Sequence, residues 1–118
     1  MDRVLGLGEF AIEAPRAAPR VTSRAIPRVN VTLDPLRRRV TLAEKDWQHI
    51  LDRHQEMRSL RSEVLRAVRH PTAQFERPGN EIWFYRAAVG PSAWIKVVVV
   101  YERGRGRVIT AFPRRKLP

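Results

Sequence analysis

The second half of the chain constrains the fold more than any other stretch. After Pro71 come four strand-like runs, over residues 73–76, 81–89, 94–103 and 107–112. Their separators, Arg77-Pro78-Gly79-Asn80, Gly90-Pro91-Ser92 and Gly104-Arg105-Gly106, are short and made of turn formers. Strands joined by such short connections lie as antiparallel neighbours. Within the third run, a period of two puts Ile95, Val97, Val99 and Tyr101 on one face and Lys96, Val98 and Val100 on the other. In the second run Ile82, Phe84 and Arg86 share a face, with Trp83 and Tyr85 opposite. At 118 residues the chain has room for one hydrophobic core, not two.

Upstream, Val29, Val31 and Leu33 alternate, Asp34-Pro35 signals a turn, and Val40 with Leu42 returns as a second strand, which reads as a short hairpin. Thr41-Leu42-Ala43-Glu44 has the spacing of a capping box, so a helix is expected over about residues 43–57. A second helix over 61–69, with Leu60, Val64, Leu65 and Val68 on one side, should stop before His70-Pro71. The expected class is therefore α+β: two N-terminal helices packed on one face of an antiparallel sheet of four or more strands, with the opposite face free for a ligand. Residues 1–28, with Pro15, Pro19 and Pro27 among Ala and Arg, have no period of 2 or 3.6 and read as an extended or disordered arm. Residues 29–118 form the single expected domain.

Lys and Arg number 23 against 12 Asp and Glu, a formal charge of +11. Arginine's planar fork matches phosphate oxygens, so the partner class is a polyanion: RNA, DNA or an acidic protein. The absence of cysteine excludes disulfides, thiolate nucleophiles and the usual zinc cages. The longest apolar run, 97–100, falls far short of the roughly 20 residues of a spanning helix. No membrane association is expected, and without a secretory leader pattern the chain reads as soluble and cytoplasmic.

The chemistry-bearing segment is Trp47-Gln48-His49-Ile50-Leu51-Asp52-Arg53-His54. Histidine exchanges protons near neutral pH and so serves as acid or base in RNA cleavage. At about 100° per residue, Trp47, Ile50, Leu51 and His54 fall on one side of the helix, and His49 lies on the flank with Lys45 and Arg53. A spacing of five is poor for shared metal binding, and no carboxylate cluster completes a site, so no metal or cofactor is expected. For His54 the alternative is a core histidine with a satisfied ring nitrogen. Lys96 suits either the edge of a sheet, with its amine snorkelling to water, or a phosphate site. Arg86 is a comparable strand cation. Thr110 is either a β-branched strand residue or a hydroxyl for a phosphate oxygen. Tyr85, Tyr101, Trp83 and Trp94 suit core packing or stacking on unpaired bases. Arg114, Arg115 and Lys116 form a basic tail that strengthens phosphate binding.

Over residues 40–113 the order of motifs carries a resemblance. A helix with His-Ile-Leu-Asp-Arg-His-Gln-Glu is followed by His-Pro-Thr, Phe-Tyr-Arg, Ile-Lys-Val-Val-Val and Val-Ile-Thr-Ala-Phe. This resembles the small nuclease domains grouped with barnase, EndoU, colicin toxins and RelE, in particular phage-associated members with a His-Ile-x-x-Arg-His-type helix. The resemblance implies a metal-independent endoribonuclease of the toxin type, in which the ribose 2′-hydroxyl attacks the adjacent phosphate. It implies catalytic roles for His49, His54, Arg86, Lys96 and Thr110, with Arg53, Tyr85, Arg114, Arg115 and Lys116 contacting RNA. An acidic antitoxin or immunity protein would be a further partner. The alternative is a catalytically silent basic module that binds nucleic acid or an acidic protein.

Overall fold

A computed structural model describes residues 29–87 and 92–118. The expected arm over 1–28 and the end of the second run with its turn, 88–91, lie outside the described residues. The elements are β1 (Val29–Leu33), β2 (Arg39–Ala43), α1 (Glu44–Arg53), α2 (Arg61–Arg69), β3 (Ala73–Arg77), β4 (Glu81–Ala87), β5 (Trp94–Glu102) and β6 (Arg105–Arg114), with a short 3₁₀ turn at Gln55–Met57.

The expectation of two N-terminal helices on an antiparallel sheet is corrected. The six strands form one mixed sheet in the order β1-β2-β6-β5-β4-β3. β1 and β2 join that sheet ahead of the helices. β2 ends at Ala43 and α1 begins at Glu44, so the helices carry the chain from β2 to the far edge of the sheet. The meander β3-β4-β5-β6 then works back across it, and β6 arrives beside β2 running parallel, through Val40 opposite Gly106 and Thr41 opposite Arg107. The remaining pairs are antiparallel.

The capping box does not form. Ala43 is the N-cap of α1, without a side-chain bond, and Thr41 stays in β2, where its hydroxyl donates to the Gly106 carbonyl at 3.5 Å. Glu44 and Asp46 face the positive end of the helix and Arg53 the negative end, which supports the start and stop electrostatically. α1 closes at Arg53, short of the expected residue 57, and the 3₁₀ turn follows to bury Met57. α2 runs to Arg69 and stops before His70-Pro71 as its sequence requires.

The core lies between the helices and one face of the sheet. Trp47 and Ile50 of α1, Val64, Ala67 and Val68 of α2, and Ile82, Phe84, Ile95, Val97, Val99 and Val108 of the strands fill it. Each large apolar side chain removed from water there contributes about 1.5–3 kcal/mol. α1 lies against β6 and β2, and α2 against β1, β4 and β5. At the β5–β6 hairpin, Arg103 and Gly104 both take positive φ (55° and 78°), the signature of a type I′ turn. The turn therefore sits one residue earlier than the expected Gly104–Gly106 segment, and Gly106 becomes a buried strand residue. A bulge between Val98 and Val99 leaves Ile109 as the extra residue of β6 and keeps Val108 and Ala111 inward.

Candidate nucleic-acid interface

Strand pairing sets the residues of the sheet's outward face in rows. One row is Tyr85, Lys96 and Phe112; the next is Trp83, Val98 and Thr110; a third is Glu81, Val100, Arg107 and Thr41. The first two rows hold three aromatic rings and one cation, Lys96, and they hold most of the outward-facing residues expected from sequence.

Lys96 stands at the centre. β5 is an interior strand flanked by β4 and β6, so the edge reading of this lysine is corrected. Only 7% of the residue is exposed. Its Nζ lies 3.3 Å from the centroid of the Trp83 ring, 5.4 Å from that of Phe112 and 6.0 Å from that of Tyr85. The negative faces of these rings replace part of the hydration that the ammonium loses. Burial nevertheless pushes its pKa below the usual lysine value; the charge of Arg114 adds to that, Glu81 opposes it, and Arg77 adds a smaller push.

The surrounding groups are tied to one another. Arg77 lies over the Trp83 ring at 4.6 Å, and the indole Nε1 donates to Glu81 at 2.8 Å. Tyr85 is fully buried, with Phe75 and Trp94 against it edge-to-face at 5.6 and 6.3 Å. Its hydroxyl is buried with no hydrogen-bond partner. Burial raises the Tyr85 pKa, against the opposing charges of Arg114 and Arg77.

His54 is the C-cap of α1, its N–H donating to the Ile50 carbonyl. Its ring stacks on Phe112, with centroids 5.2 Å apart and planes 22° from parallel. Its side chain is 31% exposed, and Nδ1 lies 3.9 Å from a Glu56 carboxylate oxygen. This is neither a sealed core histidine nor a free surface one. Phe112 thus touches an imidazole from α1 and an ammonium from β5, and Thr110 stands two residues before it on the same outward register, half-buried.

The other expected residues lie elsewhere. Arg86 pairs with Ile95 on the inward register, and its Nη1 donates to the His70 carbonyl at the end of α2, 2.7 Å away. His49 and Arg53 are exposed on α1, and Arg115 and Lys116 are exposed beyond β6. Arg114, exposed at the end of β6, faces outward opposite Trp94 and acts electrostatically on Lys96 and Tyr85. The five residues expected to act together therefore divide: Lys96 and Thr110 share the outward face and His54 meets its rim at Phe112, whereas Arg86 lies on the inward register and His49 is exposed on α1. Phe112, which links His54 to Lys96, had no assigned role in the sequence; its two-residue spacing from Thr110 is the signal that places it on this face.

Among the described residues no three His, Asp or Glu side chains gather to hold a metal ion, and no helix is long and apolar enough to cross a membrane. Comparisons with protein-family models, curated proteins and solved structures find no match to this chain.

Proposed function

We propose that the outward face of the sheet binds single-stranded RNA and that the protein cleaves it without a metal, by attack of the ribose 2′-hydroxyl on the adjacent phosphate. The observation that carries this reading is the shared contact of His54 and Lys96 with Phe112. It puts a proton-exchanging imidazole, open to solvent, at the rim of a cationic aromatic surface. Aromatic rings beside cations are what unpaired bases and phosphates require. His54 takes the proton of the 2′-hydroxyl as its oxygen bonds to phosphorus; the P–O5′ bond breaks, leaving a 2′,3′-cyclic phosphate and a 5′-hydroxyl whose proton comes from the imidazolium or from water. Lys96 and Arg114 provide positive charge for the developing phosphorane, and Thr110 a hydroxyl for one of its oxygens. The nuclease-like order of motifs supports the same chemistry. The site of action would be the cytoplasm, where RNA is abundant, and an acidic antitoxin or immunity protein would be a fitting inhibitor of a chain carrying a charge of +11.

A second reading is a silent module that binds nucleic acid or an acidic partner. It is favoured by the presence of a single imidazole at the face and by Arg86 being tied to His70 instead.

Incubation of labelled RNA with the protein in EDTA separates the two. Cleavage is expected for the wild type, and His54→Ala should slow it by about 10²–10⁴-fold, the usual contribution of a proton-transfer group, with RNA binding retained. His49→Ala and Arg86→Ala should still cleave. Cleavage by His54→Ala at the wild-type rate would remove His54 from the chemistry, and binding without any cleavage would establish the silent module.

A further inference from the structure

The same outward face continues past Val98 to a second basic concavity. A cavity of about 430 Å³ is lined by Arg39 and Thr41 of β2, Val100 and Glu102 of β5, and Arg105 and Arg107 of β6. These residues come from the two sequence-distant halves of the sheet. Arg39 and Thr41 meet Arg105 and Arg107 only because β6 returns parallel to β2. Three arginines therefore border one concavity whose lining holds a single carboxylate, Glu102; a second carboxylate, Asp46 of α1, pairs with Arg107.

Arg107 is held in a defined orientation. Its Nε and Nη2 donate to the two carboxylate oxygens of Asp46, at 3.1 and 3.3 Å. Asp46 is 4 residues past Leu42 on α1 and nearly buried, at 7% exposure, whereas the Arg107 side chain is 57% exposed. The bidentate pair uses two of the five guanidinium N–H groups, so three stay available on the solvent side. Arg39 and Arg105 are both exposed.

We propose that this concavity is a second phosphate subsite, which binds the backbone of an RNA strand whose other part lies at Lys96 and Phe112. It rests on the reading that the outward face binds RNA. From Lys96 to Val100 β5 advances four residues, about 13 Å. That is too far for one phosphate to make hydrogen bonds at both ends, since each bond spans about 3 Å. The ligand that occupies both is an oligonucleotide, with its backbone running along β5 and β6. A mononucleotide or dinucleotide occupies the Lys96 end alone.

The test uses the full chain and fluorescein-labelled single-stranded RNA of twelve nucleotides with 2′-O-methyl riboses, which lack the attacking hydroxyl and so stay intact, followed by anisotropy across a salt series. Arg39→Ala with Arg105→Ala should weaken binding by about tenfold and flatten the slope of log affinity against log salt by about 1.4, the value for two lost phosphate contacts on a single strand. Arg58→Ala with Arg69→Ala removes the same charge from exposed positions next to and on α2 and should leave the slope within half of that change. A labelled dinucleotide should bind wild type and the Arg39/Arg105 variant alike. Equal losses in the two double variants, or an unchanged Arg39/Arg105 variant, would overturn the subsite while leaving RNA binding in place. No binding of the dodecamer by wild type would overturn the RNA reading and the subsite with it.

Discussion

Lys96 shows most directly how a residue's surroundings depend on the rest of the molecule. Its period in the run 94–101 places it opposite Ile95 and Val97, and the structure keeps it there. What the local pattern did not contain was its position on an interior strand with Trp83 from β4 and Phe112 from β6 around its ammonium. A buried cation without a carboxylate partner costs stability, and apolar replacements of similar volume commonly remove that cost. Lys96→Met should therefore leave the protein as stable as wild type, or more stable by about 1 kcal/mol, by urea denaturation, while weakening RNA binding in the anisotropy assay. A variant that loses several kcal/mol with RNA affinity unchanged would make Lys96 a structural residue. His54 is the complementary case. Helical geometry turned it to the side of Trp47 and Ile50, but its contact with Phe112 arises because α1 lies along β6, and the latter relation has no trace in α1 itself.

The elements divide in the same manner. The four strands after Pro71 were legible because each is short, alternating and bounded by Pro, Gly or Asn, and because short turns leave one choice of neighbour. The second partner of β2, beyond β1, was not legible, since its pairing with β6 joins residues more than sixty positions apart, and no local signal marks it. Gly106 enforces that junction. A Cβ added there would lie 2.7 Å from Val99 Cγ1, 2.9 Å from Tyr101 Cε2 and 3.0 Å from Val40 Cγ2, all side-chain atoms packed in the core. Gly106→Ala should lower stability by about 1–3 kcal/mol, the usual cost of overpacking. Thermal unfolding would show it, and a melting temperature equal to that of wild type would mean that β2 and β6 yield without strain. The capping box failed at this same place: Thr41 is drawn into β2 by the ladder to β6, so the helix starts at Glu44 without it.

At the scale of the whole molecule, one buried carboxylate links the β1–β2 turn at one edge of the sheet to β5 in its interior. Asp34, at 4% exposure, accepts hydrogen bonds from the N–H groups of Leu36 and Arg38, from Arg38 Nε and from the Tyr101 hydroxyl, at 2.8–2.9 Å. Arg38 also lies over the Tyr101 ring, 4.1 Å from its centroid. The β1–β2 turn is thereby tied to β5. Burial raises the Asp34 pKa, but the bonds from the Arg38 backbone, Tyr101 and the Arg38 guanidinium outweigh it, and the carboxyl ends below its usual value. Tyr101 shifts the other way, raised by burial and then by its bond to Asp34 and the charge there. With the folded carboxyl depressed, the unfolded chain binds the proton more readily, so this contribution is complete above the unfolded carboxyl's pKa of about 4 and is lost as pH falls through the lower folded value. The urea midpoint should thus decline from pH 5 to pH 3, and Asp34→Asn, less stable at neutral pH by about 1–3 kcal/mol, should show a shallower decline. An equally steep decline in the variant would put the acid sensitivity in other carboxylates.

The sequence by itself determined the strand and helix periodicities, the hairpin that precedes α1, the inward and outward sets of β4 and β5, and a basic charge that calls for a polyanion. These follow from backbone geometry and composition over a few residues at a time. Only the tertiary structure decided that the sheet is mixed, that Lys96 is central, that His54 meets Phe112, that Arg86 turns inward to His70, and that Arg39 joins Arg105 and Arg107. Each of those depends on which distant strands become neighbours, and that choice is made by closing the chain around one shared core, a condition that no single segment contains.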